Sequence, residues 1–176
     1  MPPSRRCQRK DSLMRLLKTL LLALVVGAVA VPAAFAGSPH FINHATSSSI
    51  SGSSLVCNFK EAGLAAGSTE TITCSATETV TYECVNGGGK NPSASNKTTF
   101  QTSASSSGEF TADKNGNLVG AQTLDVTSPD ELNFSCPNGQ RLTLVSVFYT
   151  DVTVTDSTSG ASANLADQSF VNPSAP

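Results

Sequence analysis

Between residues 71 and 85 apolar and polar positions alternate almost without a break. Ile72, Cys74, Ala76, Val80, Tyr82 and Cys84 fall on one side, and Thr71, Thr73, Ser75, Thr77, Thr79, Thr81 and Glu83 on the other. A period of two marks a half-buried strand, with threonine on the solvated pleat. Glu78 falls on the apolar side, which predicts a bend or bulge between Ala76 and Thr79. A second run covers residues 142 to 155. Leu142, Leu144, Phe148, Val152 and Val154 share one face, yet Val145, Val147 and Tyr149 are apolar on the other. This strand is expected to be buried on both sides at its middle. Leu55, Cys57 and Phe59 form a shorter alternating set, as do Leu132, Phe134 and Cys136. Ser51-Gly52 before Leu55, and Asn115-Gly116 between Phe110 and Leu118, predict two hairpins.

Helical patterning is weak. Lys60-Glu61-Ala62-Gly63-Leu64-Ala65-Ala66-Gly67 contains helix formers, but its glycines limit it to a single turn. Short strands with Gly and Asn turns and no long helix predict an all-β fold. The architecture expected is a single β-sandwich, immunoglobulin-like and disulfide-stabilised, with a small barrel as the alternative. The stretch after Ser157 lacks a strong pattern and is expected to be loosely attached.

The first 36 residues differ in kind. Arg5, Arg6, Arg9, Lys10, Arg15 and Lys18 form a basic lead, an uncharged apolar run covers residues 20 to 31, and Ala34-Phe35-Ala36 is an A-x-A exit. Together they predict a secretory signal peptide over residues 1–36, cleaved after Ala36. The apolar run is shorter than the roughly 20 residues a membrane span needs. Cys7, Gln8 and Arg9 after the Arg5-Arg6 pair argue against twin-arginine export and for the general secretory route. Met14 begins a second complete basic lead and is an alternative start. No cysteine closes the apolar run and no apolar tail ends the chain, so no lipid or membrane anchor is expected, and no membrane span after cleavage.

Export changes the charge. The whole chain carries 11 basic and 13 acidic residues; beyond residue 36 there remain 5 and 12, a net of −7. Such a domain repels phosphate backbones and anionic membrane surfaces, which argues against nucleic acid as a partner. Seven phenylalanines spread through residues 37–176, with valine and threonine between them, argue for a folded β-rich domain rather than disorder.

Export also leaves an even number of cysteines, Cys57, Cys74, Cys84 and Cys136, in an oxidising compartment, where three connectivities are open. Cys57 and Cys74 lie on the apolar faces of consecutive strands, and Cys84 and Cys136 each end an alternating set. The pairing expected is Cys57–Cys74 and Cys84–Cys136. Zinc is not expected, because no two cysteines have C-x₂₋₄-C spacing. His40 and His44 are the only histidines. Near the mature N-terminus they read as solvated side chains rather than a metal pair, and they leave a triad without a well-held base. Asp125, Asp130, Glu131, Asp151 and Asp156 are candidates for a carboxylate pair, though each falls in a turn or at a strand edge. Asp113-Lys114-Asn115-Gly116-Asn117 lacks the glycine and glutamate positions of a calcium loop. Asn86-Gly87-Gly88-Gly89-Lys90-Asn91-Pro92 lacks the spacing of a phosphate cradle; a polar loop tethered beside Cys84 is a place where a binding surface can arise, but a mere connector is the expectation. Asn96-Lys97-Thr98 and Asn133-Phe134-Ser135 are glycosylation sequons.

Four segments carry a resemblance: Phe59-Lys60-Glu61-Ala62-Gly63-Leu64, Tyr82-Glu83-Cys84-Val85-Asn86-Gly87-Gly88-Gly89, Asn96-Lys97 and Ser135-Cys136-Pro137-Asn138-Gly139-Gln140. They resemble an uncharacterised family of small secreted, mainly bacterial, proteins. The resemblance implies Cys84 and Cys136 as the core pair and Cys57 with Cys74 as an optional one. It implies no activity. These readings lead to a secreted, non-catalytic binding or cell-envelope protein with no catalytic residue, metal or cofactor. Its partner is expected to be an extracellular protein or a cell-wall polymer. The alternative is a secreted inhibitor or effector acting on another protein, and a carboxylate-dependent hydrolase ranks last.

Overall fold

The computed structural model describes residues 37–86 and 96–175. The expected signal peptide, residues 1–36, and most of the glycine loop lie outside them. In chain order the strands are β1 (His40–Phe41), β2 (Ser47–Ser51), β3 (Ser54–Ala62), β4 (Thr69–Asn86), β5 (Lys97–Thr111), β6 (Leu118–Leu124), β7 (Gln140–Asp156), β8 (Ser162–Asn164) and β9 (Gln168–Val171). A 3-10 turn at Asn43–Ala45 separates β1 from β2. The protein is an all-β sandwich, as its alternation predicts, and no α-helix occurs among the described residues.

The smaller sheet is built on β3. It pairs with β6 along one edge, and with β1 and then β2 along the other, all antiparallel. The larger sheet runs β5-β4-β7, and the far edge of β7 takes β8 and β9. Between the sheets, Leu55, Cys57 and Leu124 pack on Cys74, Val80, Tyr82, Val147 and Tyr149. A neighbouring cluster joins Phe41, Phe59 and Leu118 to Ile72 and Val154. Each of these side chains is less than a tenth exposed, so this interface supplies the main hydrophobic stabilisation.

Several expectations need correction. The Ser51-Gly52 hairpin forms, with Gly52 at φ 63°, but the Asn115-Gly116 turn does not close a hairpin. It carries the chain from β5 in the larger sheet across to β6 in the smaller one. The Asp113 carboxylate accepts from the Asn115 and Asn117 N–H groups and shapes the turn. The Leu64 N–H bonds to the Gly116 carbonyl and docks it. Residues 60–62 belong to β3, and 63–68 form a loop rather than a helical turn. Leu132 and Phe134 reach the core from a turn, not a strand. The Ser128 N–H and hydroxyl cap that turn on Glu131, and Asn133 takes a left-handed φ of 53° that ends it.

Residues after Ser157 are not loose. They form β8 and β9, and Leu165 and Phe170 pack on the core. The Gln168 amide donates to Ser48 on the opposite sheet and closes that side of the sandwich.

The two-sided pattern of residues 142 to 155 has a cause other than double burial. Across from β4 the register slips twice, once between Ser75 and Thr77 and once between Thr81 and Tyr82. Each slip leaves an extra residue on β7, at Asp151 and at Val145. Each bulge moves the inward phase by one position. Leu142 and Leu144 point in, then Val147 and Tyr149, then Val152, Val154 and Asp156. The irregularity expected on β4 around Glu78 is therefore borne by β7, and Glu78 stays inside. Phe148 is turned out and remains 44% exposed.

Candidate functional site

The four cysteines pair as Cys57–Cys74 and Cys84–Cys136. The first joins β3 to β4 and therefore crosses between the sheets. The second ties the end of β4 to the segment that leads into β7. Both histidines are exposed, and the His40 ring bonds to the Ser38 carbonyl. No group of three His, Cys, Asp or Glu among the described residues has the arrangement of a metal site. Of the sequons, Asn96 places its amide near the Cys84 carbonyl and Asn133 is exposed.

The outer face of the larger sheet is an array of hydroxyls. Three rows run from β5 across β4 to β7: Thr99–Thr81–Ser146, Gln101–Thr79–Phe148 and Ser103–Thr77–Thr150. Two further rows, Ser105–Ser75–Thr153 and Ser107–Thr73–Thr155, continue it. Neighbouring hydroxyls bond across strands at Thr81–Thr99 and Thr73–Ser107. Phe148 stands in the middle of this array, between Thr79 and Ser169. Val171 lies opposite Ser146 at the edge and is 63% exposed. The one charge set among these rows is Asp151. Its bulged backbone holds φ at 54°, a conformation that costs a non-glycine residue on the order of 1 kcal/mol or more. Its carboxylate accepts from the Thr77 hydroxyl at 3.4 Å. An aromatic ring, a carboxylate and a field of hydroxyls thus share one solvent-facing surface.

Beside this face, where β5 and β6 part, lies an open groove of 490 Å³. Thr102, Ser106, Leu124 and Thr127 line it together with two of the sequence-predicted acids, Asp125 and Glu131. Both acids are engaged. Asp125 accepts from the Ser54 hydroxyl. Glu131 is held below the usual carboxylate range by its bonds from the Ser128 backbone and hydroxyl. Asp130 is exposed in the capped turn. The structure therefore brings Asp125 and Glu131 to one groove and leaves Asp130 and Asp151 elsewhere.

The fifth candidate, Asp156, is not at a solvated edge. It is buried at one end of the sandwich together with Glu61 and Glu70, two residues that sequence reasoning passed over. The signal was present in the alternation. Glu61 is in phase with Cys57 and Phe59, Glu70 with Ile72 and Cys74, and Asp156 with Val152 and Val154. Burial pushes the Glu61 carboxyl up to about 7, and the neighbouring charges of Asp156 and Glu70 push the same way. Burial also works to raise Asp156. Nearby donors, the Ser159 hydroxyl and N–H close by and the Thr158 N–H bonded at 2.8 Å, outweigh that and hold it below its ordinary value. Two carboxyls pushed apart in this way resemble an acid and base pair, but both are sealed from solvent.

Comparison of the sequence with protein-family models and with curated proteins finds no match.

Proposed function

We propose that this protein is a secreted, non-catalytic binding module that attaches to an uncharged extracellular polysaccharide through the outer face of its larger sheet. The observation that carries this reading is Phe148, an exposed ring set among hydroxyls and one carboxylate. A pyranose ring presents apolar C–H faces that stack on an aromatic, and hydroxyls that need donors and acceptors around that stack. Gln101, Thr79, Thr77 and Asp151 supply both kinds of group. No lysine or arginine stands in the five rows, which favours a neutral polymer over an anionic one.

Secretion rests on the basic lead, apolar run and A-x-A exit. The two disulfides fit an oxidising compartment. No helix among the described residues is long and apolar enough to cross a membrane. A hydrolase gains little support, since the acids in the open groove already take local donors and the pair with divergent ionisation is out of reach.

The test is co-sedimentation of the disulfide-bonded mature protein with insoluble cellulose, chitin, β-1,3-glucan and peptidoglycan. Binding to at least one neutral glycan is expected, with little change between low and high salt. Phe148→Ala should weaken it about tenfold, the loss of roughly 1.4 kcal/mol of stacking. Unaltered binding by Phe148→Ala, or attachment only to a secreted protein, overturns the reading.

A further inference from the structure

Glu61 sits on β3 in the smaller sheet, whereas Glu70 and Asp156 sit on β4 and β7 in the larger one. Their carboxyls meet where the sheets join, and all three residues are at most 3% exposed. Each has one oxygen satisfied by a nearby donor. The Ser159 hydroxyl bonds to Glu61 at 2.8 Å, the Thr158 N–H to Asp156 at 2.8 Å, and the Ser68 hydroxyl to Glu70. The second oxygen of each, Glu61 Oε2, Glu70 Oε2 and Asp156 Oδ2, is buried and meets no N–H or O–H donor among the described residues. What these groups face is one another: Glu61 adjoins Asp156, and Asp156 adjoins Glu70.

Three ionised carboxylates in such a place would repel each other without the solvation that makes charge tolerable. Among the described residues no side-chain cation relieves them. Lys60 neighbours Glu61 but alternates to the other face of β3, and His40 on β1 is exposed and bonded to Ser38. Strand β6, the turn at residues 157–161 and β8 carry no ionisable side chain. On β5, Glu109 is exposed on the outer face. The one ion pair among the described residues, Lys97 with Glu83, belongs to other residues of the larger sheet. The carboxyls follow one another in a chain and do not have the arrangement of a metal site. The remaining way to neutralise them is a proton.

We propose that a proton held between Glu61 and Asp156 latches the two sheets together, and that its loss to solvent at raised pH releases the latch. In the closed form the Glu61 O–H donates to the Asp156 carboxylate. In the open form that O–H bond has broken, the proton has gone to water or hydroxide, and two carboxylates face each other with Glu70 beside them. The tendency of Glu61 to keep its proton toward neutrality supports the same assignment. The Cys57–Cys74 bridge joins the same two sheets two inward positions further along β3 and β4, beyond Phe59 and Ile72. The two sheets are therefore held by one contact sensitive to reduction and one sensitive to alkali.

Two measurements on the intact, disulfide-bonded protein test this. Carbon-detected NMR follows the carboxyl of Glu61 through its titration, and a midpoint near neutrality is expected. Urea denaturation between pH 5 and pH 8 should show the unfolding equilibrium constant rising on the order of a hundredfold. In Glu61→Gln an amide donor stands in for the protonated carboxyl, and that rise should shrink to a few-fold. A Glu61 midpoint below about 5 overturns the latch, as does an undiminished rise in folded Glu61→Gln. Recovery of wild-type stability at pH 8 on adding calcium chloride also overturns it, because the neutralising cation is then a metal. Should Glu61→Gln fail to fold, the carboxyl titration of the unaltered protein still decides.

Discussion

The outer face of the larger sheet and the buried end of the sandwich are both polar, and both draw on β4 and β7. On the outer face, Thr71 to Thr81 and their partners spread hydroxyls over a surface that water already solvates. At the end, Glu70 and Asp156 turn inward and meet Glu61 from the other sheet. Position on the pleat decides which chemistry results. An outward hydroxyl can exchange water or a neighbouring hydroxyl for whatever arrives, whereas an inward carboxyl must find a donor in the protein. Glu78 shows the ordinary solution. It is fully buried, yet the Thr127 N–H and hydroxyl both donate to it. The Glu61 cluster has too few such donors, and a proton completes it.

The covalent staples set the scale against which this contrast is measured. Replacing Cys84 and Cys136 by alanine opens a loop with a sequence separation of 52 and should cost about 4 kcal/mol by chain entropy, read from urea midpoints. Removing Cys57 and Cys74, separated by 17, should cost about 3 kcal/mol in the same assay. Glu61 comes next. Its folded value of about 7 lies above its ordinary 4.5, so its contribution is full below 4.5 and fades as pH rises through 7. The loss should be on the order of 3 kcal/mol. Asp156, held below its ordinary 3.8, acts in the opposite sense and loses its contribution only under acid. Gly116→Ala breaks the crossing from β5 to β6. Its Cβ would stand 2.2 Å from the Leu64 carbonyl oxygen at a φ of +72°, and about 2 kcal/mol should be lost. The smallest effect on stability should come from Phe148→Ala on the outer face, within about 0.5 kcal/mol, with its loss appearing in binding instead.

The pleat of β4 was legible in the sequence because threonine and apolar residues alternate cleanly along it, and it puts Cys74 and Cys84 on the inward face; Cys136, in contrast, lies in no strand and its alternation was misleading. Strand β5 was not legible. Its inward positions include Ala104, Ser106 and Gly108, which are too small or polar to show a hydrophobic period. At Gly108 the space is short, since a Cβ would meet Gln122 at 2.9 Å and Phe110 at 3.1 Å, whereas Ala104 and Ser106 line the open groove. The phase of β7 was misread for a different reason. Bulges at Val145 and Asp151 arise from pairing with β4 and leave no local signature. They hid the exposure of Phe148, and with it the candidate face. The carboxyl cluster was half legible, since alternation places Glu61, Glu70 and Asp156 inward. That they converge depends on which strands come together, and no single strand records this.

The outer face, rather than the groove beside β6, is where the polymer is expected to bind, and amide NMR with a soluble oligomer of the glycan found by co-sedimentation tests that directly. Shifts are expected to be confined to Thr77, Thr79, Gln101, Phe148, Thr150 and Asp151, with Glu61 and Asp156 unmoved. Shifts that map instead to Thr102, Ser106, Thr127 and Glu131 would contradict it.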